Sequence, residues 1–75
     1  MRNGYRNGYR IAEVKDLGIN CKDLARQNGI VYHSFFGVVR AGRRLRDKIL
    51  EQRIKSITDA EIMRVQAAIK AVQTN

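Results

Sequence analysis

Proline and tryptophan are absent from this 75-residue sequence, and cysteine occurs once, as Cys21. A single cysteine excludes a disulfide framework or a zinc site within the chain and suits a reducing, cytoplasmic setting. No apolar run approaches the ~18 residues of a membrane span, and no signal-peptide pattern is visible, so no membrane partner is expected. The alternation of β-branched residues that marks strands is missing too, and the periodicities that remain are helical. Also missing are a carboxylate pair, a nucleophile–base pair and a phosphate-binding loop. The chain is therefore not expected to be an enzyme, to hold a cofactor or to take a small-molecule ligand.

Acidic residues are scarce. Seven Asp and Glu stand against fifteen Lys and Arg, for a net charge of +8. The excess is clustered. Residues 1–10 carry Arg2, Arg6 and Arg10 with no acid. Residues 31–55 carry Arg40, Arg43, Arg44, Arg46, Lys48, Arg53 and Lys55 against Asp47 and Glu51. The segments 11–30 and 56–75 each balance to zero. Solubility does not require clustering, whereas a polyanion-binding face does. Apolar content is 44%, ordinary for a globular chain, so disorder is not the default. A domain this small buries only ~60% of its unfolded surface, and a partner or dimer interface would add stability.

Glycines and caps divide the chain into about five short helices in an all-α bundle. Ile11, Val14 and Leu17 share one face of a helix over 10–17 that Gly18 ends. Asn20, with Asp23 three residues on, starts a second helix that stops at Gly29. A third covers about 32–41, with Phe35, Val38 and Val39 inward and Gly42 closing it. Leu45, Ile49 and Leu50 suit a short fourth. Thr58-Asp59-Ala60-Glu61 has the form of a capping box and predicts a fifth helix from Asp59 to about Gln73. The expected organisation is an arm at 1–9, a binding core at 10–55 and a C-terminal helix at 56–75.

Residues 21–40, CKDLARQNGIVYHSFFGVVR, suit two helices crossing through a tight turn. Ala25 is small where the helices touch, Gly29 permits a left-handed turn, and Ile30 plugs the core. Leu24, Phe35 and Val38 complete the hydrophobic face. The segment resembles the helix-turn-helix of the lambda-repressor and Cro-like superfamily. It also resembles small bacteriophage and prophage domains with an LA…GI.Y.TF…R…G signature, read here as Leu24-Ala25, Gly29-Ile30, Tyr32, Ser34-Phe35, Arg40 and Gly42. The resemblance covers about residues 10–50. It implies a transcriptional regulator that binds double-stranded DNA with the helix at 32–41 in the major groove and blocks a promoter by occupancy. The alternatives are an excisionase-like or architectural accessory factor, or an inhibitor of a host nucleic-acid machine acting through protein contacts. Val31 departs from the pattern, which commonly has Ser or Thr there to cap the helix.

On such a helix Tyr32, His33, Phe36, Gly37 and Arg40 point away from the Phe35/Val38 face. Arg40 suits a bidentate contact to guanine or a phosphate contact. Tyr32, Ser34 and His33 suit phosphate, with a base edge as a second option for His33. Phe36 suits a thymine methyl or packing against the fourth helix. Gly37 lies on the outward side, where a missing side chain would allow close approach to DNA. Arg43, Arg44, Arg46 and Lys48 are placed to straddle the backbone and fix register.

Residues 2–10, RNGYRNGYR, repeat one basic, aromatic tetrapeptide. Its two Asn-Gly steps favour turns, but the strands of a hairpin would be very short. A flexible arm, with Arg2, Arg6 and Arg10 following the backbone or entering a minor groove, is expected. In the last helix Ile62, Val65, Ile69 and Val72 form one stripe, and Ala60, Met63, Ala67 and Ala71 a second. Two stripes suggest burial on both sides, one against the domain and one against a second copy in a homodimer, and Ile62, Met63, Val65, Ala67, Ile69 and Val72, drawn from both, are the candidate dimerisation residues of the expected dimer stripe.

Overall fold

The computed structural model describes residues 8–73. Among them are four helices and no strand: α1 (Ile11–Asp16), α2 (Cys21–Gln27), α3 (Tyr32–Val39) and α4 (Lys48–Gln73). No helix among the described residues is long and apolar enough to cross a membrane.

The first three helices begin and end where local chemistry directs. Asn20 has extended backbone, and its side chain accepts the Asp23 amide at 3.1 Å, which satisfies one free N–H of α2. Gly29 turns the chain at φ +67°, in the left-handed region that glycine enters without steric cost. The Ile30 amide then closes the turn on the Ala25 carbonyl at 2.9 Å. Val31 offers no side-chain cap, and α3 starts at Tyr32 without one.

The fourth and fifth helices expected from the sequence are one continuous helix of 26 residues. Its cap is Asp47, whose carboxylate accepts the Leu50 amide at 3.0 Å. Thr58 is no cap. It is buried in mid-helix, and its hydroxyl donates to the Ile54 carbonyl at 2.9 Å. That bond satisfies a buried polar group inside the helix, where Ser and Thr often bond back to the preceding turn. The other half of the expected capping box, Glu61, instead pairs with Arg64 one turn on. The boundary expected at 55/56 therefore falls inside a helix whose Ile54, Thr58 and Ile62 are buried together.

The core is Val14, Cys21, Leu24, Ala25, Ile30, Phe35, Val38, Val39, Ile54 and Ile62. Phe35, Ile54 and Ile62 are its largest fully buried side chains, and fully burying each contributes ~1.5–3 kcal/mol. Ala25 is fully buried where α2 meets α3, as its small size requires. Ile62 thus belongs to the domain core and is not open to a second copy, contrary to its place in the expected dimer stripe. Burial pushes the Cys21 thiol up, against the opposing effect of the Arg40 charge, so this cysteine serves packing.

The chain ahead of α1 is tied down from Gly8 onward. Gly8 is buried, and the Tyr9 amide donates to the Val38 carbonyl at 3.2 Å. The Tyr9 hydroxyl donates to Asp59 of α4 at 2.9 Å, and the Lys55 ammonium lies 5.4 Å from the Tyr9 ring centroid. Arg10, at φ +51°, caps α1 from the left-handed region. Its guanidinium donates to Glu13 at 2.8 Å and to Asp59 at 3.0 Å. Two parts of the expected arm are corrected here. Gly8 and Tyr9 are part of the packed domain, and Arg10 is engaged by two carboxylates rather than available to DNA. Arg2 and Arg6 lie outside the described residues.

Candidate nucleic-acid interface

α3 has one buried side and one exposed side because its apolar residues cluster. Phe35, Val38 and Val39 face the core, while Val31, Tyr32, His33, Phe36 and Arg40 are exposed. Tyr32, Phe36 and Arg40 are four residues apart and therefore stack along one ridge of the helix. The Tyr32 and Phe36 ring centroids are 5.7 Å apart with planes tilted by 60°, and the Arg40 guanidinium carbon lies 6.0 Å from the Phe36 centroid. Phe36 is thus an exposed ring between an aromatic and a cation. Ser34 is half-buried beside the ridge.

Gly37 is not outward. It is buried, and a Cβ built on it would lie 3.4 Å from Cδ of Arg43. The Arg43 amide donates to the Gly37 carbonyl at 2.7 Å, and its guanidinium reaches His33 Nε2 at 3.2 Å. The missing side chain seats Arg43 across α3 rather than admitting a ligand. His33 and Arg43, ten residues apart in sequence, form one polar pair beside the aromatic ridge.

On the ridge's other flank, Tyr32 and Arg40 border a cleft that also contains Lys15, Asn20, Cys21 and Lys22. Sequence reasoning missed Lys15 and Lys22 because their segment has no net charge. The balancing acids are partly neutralised locally: Glu13 pairs with Arg10, and Asp23 with Arg26 at 3.0 Å. Periodicity on α1 and α2 marks both lysines as outward, but only the packing of those helices beside α3 brings them to one cleft.

The loop carrying Arg43, Arg44 and Arg46 is held by Glu51, which is buried near the start of α4. Its carboxylate accepts the Leu45 amide at 2.8 Å and lies 3.4 Å from the Lys48 and Lys55 ammonium groups and 3.6 Å from Arg44 Nε. The Leu45 amide first, then the two lysines, hold this carboxyl below the usual carboxylate range. One buried acid thereby gathers three cations. Arg44, Lys48 and Arg46 remain exposed to solvent, and Lys55 is half-buried.

Among the described residues, Glu13, Asp23, Glu51, Asp59 and Glu61 are each paired with a cation, Asp47 caps α4, and Asp16, at the end of α1 beside Lys15, is exposed. No group of three metal-ligating side chains occurs among the described residues. An aromatic and basic ridge flanked by cations is suited to a surface of regularly spaced phosphates with flat base edges between them. Comparison with protein-family models, curated proteins and solved structures found no match to this chain.

Proposed function

We propose that the chain is a sequence-specific double-stranded DNA-binding regulator, acting as a repressor or Cro-like switch by occupying a promoter. In this reading α2, the turn at Gly29 and α3 form a helix-turn-helix, and α3 enters the major groove. The observation that carries it is the exposed Tyr32–Phe36–Arg40 ridge between Lys15 and Lys22 on one flank and His33 and Arg43 on the other. Arg40 reads guanine through its planar fork, and Phe36 meets a thymine methyl. Lys15, Lys22, Arg43, Arg44 and Arg46 neutralise phosphates and set register without reading sequence. Glu51 supports this indirectly, by fixing the loop that carries the arginines.

The test is selection from a random duplex pool, followed by gel shifts on the selected sequence and on scrambled DNA across a salt series. The expected outcome is a recurrent motif bound at least ~10³-fold tighter than scrambled DNA. With ~4–5 phosphates neutralised per chain, log K falls against log salt with a slope near −4. Binding of equal strength to every duplex would instead favour an architectural role. No salt-dependent binding to any duplex would overturn the proposal and favour a protein partner.

A further inference from the structure

Arg43 is held at both ends of its side chain. Its amide donates to the Gly37 carbonyl at 2.7 Å, which fixes where the side chain begins, and its guanidinium ends 3.2 Å from His33 Nε2. Between these points the chain crosses Gly37, where a Cβ would lie 3.4 Å from Arg43 Cδ and 3.8 Å from Nη1. A methyl group there would touch the arginine, and a larger side chain would block the crossing. His33 and Gly37 are four residues apart, so the crossing follows one row of α3. Both ends of the pair are exposed beside the Tyr32–Phe36–Arg40 ridge.

A guanidinium carries N–H donors and no acceptor, and it stays charged throughout the working pH range. The contact at 3.2 Å therefore requires a lone pair on Nε2, because two N–H groups facing each other make no hydrogen bond. A neutral imidazole with its lone pair on Nε2 carries its proton on Nδ1. That is the form an unconstrained histidine populates less. Among the described residues no other group bonds the ring, so the Nδ1–H donor is left for a ligand.

We propose that Arg43 locks His33 as an N–H donor, and that His33 thereby reads a base rich in major-groove acceptors, guanine first and cytosine last. The inference rests on the DNA-binding reading above and adds a second base-reading residue to Arg40. Guanine presents two acceptors, N7 and O6, whereas cytosine presents only its N4 donor. A locked Nδ1–H facing cytosine sets donor against donor and leaves both unsatisfied. Adenine and thymine each present one acceptor and fall between. An unlocked histidine makes no such choice, since by exchanging tautomers it offers a lone pair or an N–H to whatever faces it. Arg43 is thus a positioning residue. Its guanidinium N–H groups not given to His33 remain for a phosphate, and it acts on sequence only through the histidine.

The experiment uses the full chain and has two arms. His33 is the only histidine, so long-range proton–nitrogen NMR spectra of the isotope-labelled protein report its ring without ambiguity. They are recorded without DNA at about pH 8, where an ordinary imidazole is neutral. The expected result is a proton on Nδ1 in the parent and mainly on Nε2 in Arg43→Ala. Gly37→Leu, which keeps both side chains and blocks the crossing, gives the same change, with helix content checked by circular dichroism. The second arm repeats the random-pool selection. His33→Ala marks the position the ring faces by losing preference there. In the parent that base is guanine, and cytosine weakens binding about tenfold. Arg43→Ala weakens all duplexes and shrinks the cytosine penalty to within about twofold, whereas loss of a phosphate contact alone leaves the penalty intact. An Nε2–H parent, or a tautomer that Arg43→Ala does not move, overturns the lock. A penalty intact in Arg43→Ala, or preferences unchanged in His33→Ala, overturns the reading by His33 and leaves DNA binding standing on Arg40. Failure of the parent to select any sequence removes the DNA reading and the base assignment with it, and the lock is then decided by the spectra alone.

Discussion

Replacing Gly8 with alanine adds one methyl group at a place with no room for it. The new Cβ would lie 1.9 Å from the Val39 carbonyl oxygen and 2.7 Å from the Val39 carbonyl carbon. Both are backbone atoms at the end of α3, so no side chain can rotate away, and residues 8–10 must lift off the helix. Forcing one methylene into a packed site costs ~1–3 kcal/mol. Lifting the chain also loosens the Tyr9 amide bond to Val38, a hydrogen bond worth ~0.5–1.5 kcal/mol net. Against this, alanine narrows the unfolded ensemble relative to glycine and returns ~0.4–1 kcal/mol. The net loss is about 2 kcal/mol, which lowers the Tm of a domain of this size by roughly 8–16 °C. The assay is thermal unfolding followed by far-UV circular dichroism, with urea unfolding as a check on the free energy. A fall in Tm below about 3 °C would refute the tight docking of Gly8 on α3.

Further outcomes follow from the cap, the buried acid and the basic ridge. Asp47→Ala removes the cap of α4 and costs ~1 kcal/mol in urea titrations. Thr58→Val loses a buried hydroxyl bond worth ~0.5–1.5 kcal/mol but leaves the helix content by circular dichroism unchanged. A fall in helix content on Thr58→Val would restore two separate helices with Thr58 as a cap. Glu13, Glu51 and Glu61 all have folded-state carboxyls held below the usual range, Glu51 by the Leu45 amide and two lysines, the others chiefly by Arg10 and Arg64. A carboxyl depressed by folding stabilises above its unfolded value of ~4.3, and that stability is lost as pH falls through the folded values. Stability in urea is therefore flat near neutrality and declines below about pH 5, and Glu51→Gln is less stable at neutral pH with a shallower acid decline. Arg40→Ala weakens discrimination at one base position by ~1–3 kcal/mol, read as relaxed preference in a repeated selection. Lys22→Ala weakens all duplexes alike and reduces the salt slope by about 1.

Local chemistry made much of the fold legible. The Asn20 cap, the turn at Gly29 and the inward Phe35, Val38 and Val39 all follow from residues within a few positions of one another. The exposed side of α3, carrying Tyr32, His33, Phe36 and Arg40, follows from the same periodicity. Where a reading needed partners distant in sequence, it failed. Gly37 looked outward until Arg43 was seen to lie across it. Phe36, with packing against a later helix left open, is instead an exposed ring beside Tyr32 and Arg40. Lys15 and Lys22 were hidden by a charge count that averaged over their segment.

What the sequence determined alone is the helical, strand-free character of the described residues, the starts of the second and third helices with the turn at Gly29 between them, and the clustering of positive charge; α3 stops at Val39, short of the expected end near 41. These are set by dihedral preference, capping and composition, which act over one or two turns. Tertiary structure decided that Thr58 sits inside one long helix, because Ile54, Thr58 and Ile62 share a buried face that favours continuity over a local cap. It also decided the fate of the end of the repeat, where Tyr9 and Arg10 meet Asp59 some fifty residues away. The repeat itself carries no sign of that carboxylate, since the energy that fixes such a contact belongs to both ends of it.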